Sequence, residues 1–149
     1  MVGDAMLVSD VMVKDVKTIG PEVSVQEAAK IMTENHIGSL VVVKDDEALG
    51  IITERDILMK VVAMGLRSSE VLVEDIMTKK LKYITEDKSI DEAADMMVKY
   101  RIKKLPVVDK KGNLVGIITT SDLIAFEKKF VEKFASLIVS RKEGGFIGG

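Results

Sequence analysis

Cysteine is absent from this 149-residue chain, which excludes disulfides and thiolate metal sites and accords with a reducing compartment. The single histidine, His36, leaves no histidine metal cluster and no set of partners for a histidine-dependent triad. A large excess of charge of one sign is also lacking. Twenty-two Lys and Arg face 24 Asp and Glu, for a net charge of −2, so the basic surface that phosphate-backbone binding needs is missing. Nucleic acid is therefore not expected as the main partner. No apolar run approaches the ~18 residues of a membrane span. No basic segment leads into an apolar stretch at the N-terminus, so the expected compartment is cytoplasmic, without membrane anchor or leader. What is present is 47% hydrophobic and 31% charged, enough for one domain or two small halves sharing an interface.

The chain also repeats itself. Val11-Met12 to Ile57-Leu58 returns as Ile76-Met77 to Leu123-Ile124, offset by 65 residues at Asp10/Asp75 and by 66 at Asp56/Asp122. The one extra residue is placed in the Asp109–Asn113 turn. Gly50-Ile51-Ile52-Thr53 is answered by Gly116-Ile117-Ile118-Thr119. A repeat of this length is one supersecondary unit whose neighbour completes its core.

Each copy predicts strand, helix, strand, strand, helix. The first strands are expected at Val16–Ile19 and Leu81–Ile84. Ser24-x-x-Glu27 and Ser89-x-x-Glu92 then carry the pattern of a capping box, ahead of the stripes Val25, Ala28, Ala29, Met32 and Ile90, Ala93, Ala94, Met97. The β-branched run Leu40–Val43, the polar turn Asp45–Glu47 and Leu49–Thr53 predict an antiparallel hairpin, repeated at Leu105–Val108 and Leu114–Thr119. Further helices are expected from Glu54 to Met64, closed by Gly65, and from Thr120 into Val139. The last carries three of the four phenylalanines, more apolar surface than a terminal helix needs for itself; it either folds back on its own core or faces a partner. The linker Arg67–Val73 has no proline and no low-complexity tract, so the copies are expected to pack on each other.

Two constellations could carry chemistry. Thr53-x-x-Asp56 and Thr119-x-x-Asp122 stand where a strand meets a helix. That pattern is a capping arrangement, and equally a carboxylate able to accept both hydroxyls of a ribose beside a helix end that favours phosphate. Arg101-Ile102-Lys103-Lys104 is a basic cluster, either a solvated helix end or a phosphate contact. Its counterpart His36-Ile37-Gly38-Ser39 is far less basic. Here His36 suits a surface or helix-end role, and Gly38 would admit a flat ring close to the backbone.

The ordered set of Val11-Met12 or Ile76-Met77-Thr78, Ser-x-x-Glu-Ala-Ala, Leu-Val-Val-Val or Leu-Pro-Val-Val-Asp, and Gly-Ile-Ile-Thr-x-x-Asp, present twice from Val8 to Ile124, resembles the CBS domain, the tandem repeat of a Bateman module. The resemblance implies an α/β (α+β) fold of two β-α-β-β-α repeats packed about a pseudo-two-fold axis. It assigns residues 8–66 to repeat one, 73–130 to repeat two and 131–149 to a C-terminal helix extension with a Gly-rich tail. It implies regulatory ligand binding without catalysis, the ligand being AMP, ADP, ATP or S-adenosylmethionine and no further cofactor or metal being required. Cleft one would combine Ile51, Thr53, Arg55 and Asp56 with Thr78, Ile102, Lys103 and Lys104. Cleft two would combine Ile117, Thr119, Ser121 and Asp122 with Val13, Ile37, Gly38 and Ser39. Val13 stands where copy one would carry Thr, and Val41 where Pro106 stands in copy two. Cleft one, with Arg55, Lys103 and Lys104, is thus the expected phosphate-selective site, and cleft two offers Ser39, Ser121 and Lys14. The expected assembly is a homodimer joined through the helices bearing Leu58, Val62, Phe126, Phe130 and Phe134, signalling to a protein partner. A ligand-free interaction scaffold is the alternative. A hydrolase is not expected, since no nucleophile has a base beside it.

Overall fold

The structure, a computed structural model, describes residues 6–143, with the side chains of Phe130 and of residues 138–143 excepted. Residues 144–149 of the Gly-rich tail lie outside the described residues, as does the Phe130 side chain. The first half runs α1 (Val8–Val11), β1 (Thr18–Ile19), α2 (Val25–Asn35), β2 (Ser39–Lys44), β3 (Glu47–Thr53) and α3 (Glu54–Ile57), which continues as a π-helical turn over Leu58–Val62. The second half runs α4 (Val73–Ile76), β4 (Ile84–Thr85), α5 (Ile90–Tyr100), β5 (Lys104–Val108), β6 (Leu114–Thr119) and α6 (Thr120–Glu143). This is the mixed β-α-β-β-α unit twice over, each preceded by a one-turn helix.

The serines open the long helices as their position predicts. Ser24 Oγ accepts from the Glu27 amide at 3.2 Å, and Ser89 Oγ from the Glu92 amide at 3.1 Å. The glutamate half of each expected box is not made. Orphan first-turn amides are instead satisfied by main chain, Val25 N donating to Val71 O and Gln26 N to Ser68 O. Both long helices end on a residue in the left-handed region, His36 (φ 53°) and Arg101 (φ 54°). Their buried faces are Val25, Ala28, Met32 and Ile90, Ala93, Met97.

Two three-stranded sheets result, ordered β1-β2-β3 and β4-β5-β6, the first pair of each parallel and the second antiparallel. The first hairpin closes on Asp45 and Asp46, with φ of 53° and 64°, the two-residue turn whose twist suits the strands. Strands β1 and β4 are shorter than expected. Only two residues of each find a ladder partner, Thr18 and Ile19 on Val41 and Val42, Ile84 and Thr85 on Val107 and Val108. The helix expected over Glu54–Met64 also differs. It is α-helical for one turn and then widens, with Ala63 N donating to Leu58 O, before Gly65 turns the chain at φ 69°.

The copies are interlocked. Val73 and Ile76 of α4 belong to the core of the first half, and Val8 of α1 to that of the second. Main-chain bonds repeat the exchange in register: Val73 N to Val23 O against Val8 N to Lys88 O, both 2.7–2.8 Å, and Glu74 N to Pro21 O against Ser9 N to Glu86 O. At the seam Thr78 pairs with Ile51 and Val13 with Ile117, each through two main-chain bonds. These approaches explain the glycine of each Gly-Ile-Ile-Thr string. A Cβ on Gly50 would sit 2.5 Å from Thr78 O, and one on Gly116 2.5 Å from Met12 Sδ. The pseudo-two-fold is thus written into the hydrogen bonds. It also puts Ser39 and Lys104, equivalent positions 65 residues apart, side by side at the axis, with Lys104 Nζ donating to Ser39 Oγ at 3.0 Å.

Candidate functional site

A cavity of about 440 Å³ opens at the seam, where β6 and the start of α6 face the segment before β1 and the entry to β2. It falls in the range of small-molecule pockets. All eight residues expected around cleft two line it: Val13, Ile37, Gly38 and Ser39 from the first half, and Ile117, Thr119, Ser121 and Asp122 from the second. Lys103 and Lys104, expected in cleft one, line this cavity as well. Lys104 opens β5 close to the axis, directly after Lys103, and its side chain reaches across toward Ser39. Lys17, not Lys14, supplies the third cation of the lining, paired with Asp15 at 3.0 Å.

Burial pushes the Lys104 ammonium below its usual range, opposed by the negative charge of Glu54. Gly38 makes room for this arrangement, since a Cβ there would lie 2.9 Å from Glu54 Oε1 and 3.6 Å from Lys104 Nζ. Thr120, Val16 and His36 complete the lining. Sequence reasoning passed over Lys17, Val16 and Thr120, which carry no motif of their own. His36 was read as a helix end; it is that, and its left-handed backbone also brings it to the cavity rim.

The two aspartates are both helix caps and are held differently. Asp122 Oδ2 accepts from Thr119 N at 3.0 Å, and Thr119 Oγ1 accepts from Asp122 N at 3.1 Å. Asp122 Oδ1 has no further partner among the described residues, and the residue lines the cavity. Asp56 makes the same box with Thr53, Oδ2 accepting from Thr53 N at 2.9 Å and from Thr53 Oγ1 at 3.0 Å. Its Oδ1 is also engaged, by Lys60 Nζ at 3.0 Å and by Thr78 Oγ1 at 3.5 Å. Asp56 is the one buried charged residue among those described.

Of the other residues expected in cleft one, Ile51 stays with Thr78, while Ile102 and Arg55 have separate contacts. Ile51 bonds Thr78 along the main chain, and Ile102 packs against the second core. Arg55 is exposed and points along its helix, Nε donating to Met59 Sδ at 3.1 Å. Of the lysines expected there, Lys104 interacts with Glu54 at the start of α3 as well as lining the seam cavity.

Compared with known proteins, the chain matches the CBS domain family model over residues 8–63 and 73–129. The protein belongs to the CBS domain family, as a pair of such domains. It is 42% identical over 118 residues to an inosine-5'-monophosphate dehydrogenase of Thermoplasma acidophilum, 79% of this chain but 23% of that enzyme. An uncharacterised protein of Methanopyrus kandleri is 42% identical over 125 residues, and the chain spans 64% of its length. A CBS domain-containing protein of Bacillus subtilis is 34% identical over 78% of this chain and 81% of its own. Among solved structures, a CBS domain pair in complex with 5-methylthioadenosine and S-adenosyl-L-methionine superposes with a TM-score of 0.75 at 34% identity, covering 83% of this chain and 97% of that one.

Proposed function

We propose that the CBS pair is a regulatory module that binds an adenosine-containing ligand in the seam cavity and relays occupancy to a protein partner. The observation that carries this reading is the convergence of eight motif-derived residues from both halves on one cavity. A ligand there would touch both halves, so its binding energy would favour one relative placement of the two, the physical requirement for a sensor. Asp122 offers an unpartnered carboxylate oxygen to a ribose hydroxyl. Lys103 and Lys104 offer charge to a phosphate, which favours AMP, ADP or ATP over neutral adenosine. The solved pair holding 5-methylthioadenosine and S-adenosyl-L-methionine favours a second reading, a sensor of sulfur-bearing adenosine ligands. In either case the module works in the cytoplasm and performs no catalysis itself. It pairs with a second copy through the faces around Leu58 and Val62, 60% and 63% exposed. Phe126, assigned to that surface from sequence, instead packs against the second core.

A thermal-shift panel of AMP, ADP, ATP, NAD, S-adenosylmethionine, 5-methylthioadenosine and guanine nucleotides tests the reading. A ligand at a hundred times its Kd adds about 2.7 kcal/mol of stability, so an adenosine ligand should raise Tm by several degrees and a guanine nucleotide should not. Replacing Lys103 and Lys104 together by Ala should abolish any preference for AMP over adenosine, most visibly at low salt. Silence across the whole panel would leave the interaction scaffold as the better account.

A further inference from the structure

Resting on the adenosine-ligand reading, we infer that this chain presents a single ribose-accepting site, at Asp122, because Lys60 and Thr78 occupy the corresponding carboxylate of cleft one. The two aspartates are equivalent by repeat, and each spends one oxygen on its own helix cap. What differs is the other oxygen. In cleft one it receives the Lys60 ammonium at 3.0 Å and faces the Thr78 hydroxyl at 3.5 Å. Lys60 is itself anchored, donating to Ile76 O at 2.8 Å on the helix that the second half lends to the first core. The latch therefore ties Asp56 to the seam as well as to its own helix.

The repeat offset locates the counterparts of both latch residues. Lys60 answers to Phe126, and Thr78 to Val13. Neither Phe126 nor Val13 has a side-chain hydrogen-bond donor, so Asp122 has no equivalent latch. A ribose entering cleft one would have to displace an ammonium from a buried carboxylate and replace both of its contacts. A ribose entering cleft two meets an oxygen with no partner to displace. The first helical residue after each Thr sharpens the contrast. In cleft one it is Glu54, beside the Lys104 ammonium, where its charge opposes a phosphate; in cleft two it is Thr120.

Isothermal calorimetry on the full chain, with AMP, S-adenosylmethionine and 5-methylthioadenosine as probes, tests this. Wild type should take up one equivalent per chain of whichever probe binds. Asp122→Asn should weaken it by at least about tenfold, the loss of one charge-assisted bond. The double variant Lys60→Met with Thr78→Val gives cleft one the unlatched character of cleft two and should gain a second equivalent. Lys60 is exposed along its stem, so this variant is expected to fold, and its circular dichroism spectrum checks that. Two equivalents in wild type would overturn the latch while leaving the adenosine reading intact, as would a double variant that folds and still binds only one. No uptake of any probe by wild type, with no thermal shift across the panel, would instead overturn the adenosine reading and the latch with it.

Discussion

The two halves share their cores and differ at their clefts. Leu40 and Leu105, Ile52 and Ile118, Val42 and Val107 occupy the same places in two sheets of identical order, all within 1% of full burial. A few positions at the seam depart from this symmetry: Lys60 against Phe126, Thr78 against Val13, Glu54 against Thr120, Ser39 against Lys104. Packing constrains the buried set, because a methylene more or less is felt throughout a dense interior. None of the seam positions is fully buried, so they can diverge without disturbing the fold. Duplication thus supplies one architecture twice, and substitutions at its edge make two different sites of it.

The symmetry of the cores yields the largest expected effect. Leu40→Ala and Leu105→Ala should each cost about 3 kcal/mol, and the two values should agree to within about 1 kcal/mol in urea melts. Since Val73 and Ile76 serve the first core and Val8 the second, both variants should unfold in a single transition. Two separated transitions would mean that the halves are independent.

The difference at the caps comes next. Asp56→Ala removes a cap together with the Lys60 contact and should cost about 2 kcal/mol, whereas Asp122→Ala removes the cap alone and should cost about 1 kcal/mol. Equal losses in a denaturant titration would show that the Lys60 pair contributes nothing to stability.

The smallest expected effect belongs to Lys104. In the unfolded chain its ammonium keeps a proton up to the ordinary 10.5, while burial in the fold releases that proton earlier. The unfolded state therefore binds more protons in that window, and stability owed to this group rises with pH from the lowered value to 10.5. Lys104→Met should lack that rise. Comparing Tm of the two proteins from about pH 8 to about 10.5, the difference should move in favour of wild type as pH increases. A constant difference would place Lys104 in effectively unperturbed solvent.

Much of this was legible in the residues. The repeat offset, the serines ahead of each apolar stripe and the β-branched runs predicted the β-α-β-β-α order of each half, though not the one-turn helices α1 and α4, because local periodicity and caps act over a few residues. The eight residues of cleft two were nameable as well, since they sit in motifs that repeat. Lys103 and Lys104 were nameable as cations, but not as lining of the same cavity as Asp122. Their position relative to the axis depends on how the two halves meet at the seam, where Lys104 Nζ reaches Ser39 Oγ, and that contact has no local signature. Lys60 stands four residues after Asp56, a spacing that already allows an ion pair on a helix. Its bond to Ile76 O, which makes the pair a latch, is visible only once α4 is packed on the first half.

The sequence alone determined that there are two copies of one unit, where the serine-capped helices begin, and which apolar stripes and β-branched runs supply most of the two cores. These depend on short-range pattern and on hydrophobicity, which every residue carries with it wherever the chain goes. Tertiary structure decided that α1 and α4 are exchanged between halves, that the strands β1 and β4 following them are short, and that one carboxylate is sealed while its twin faces a cavity. Such outcomes depend on distances between residues far apart in the chain, and only packing brings those residues together.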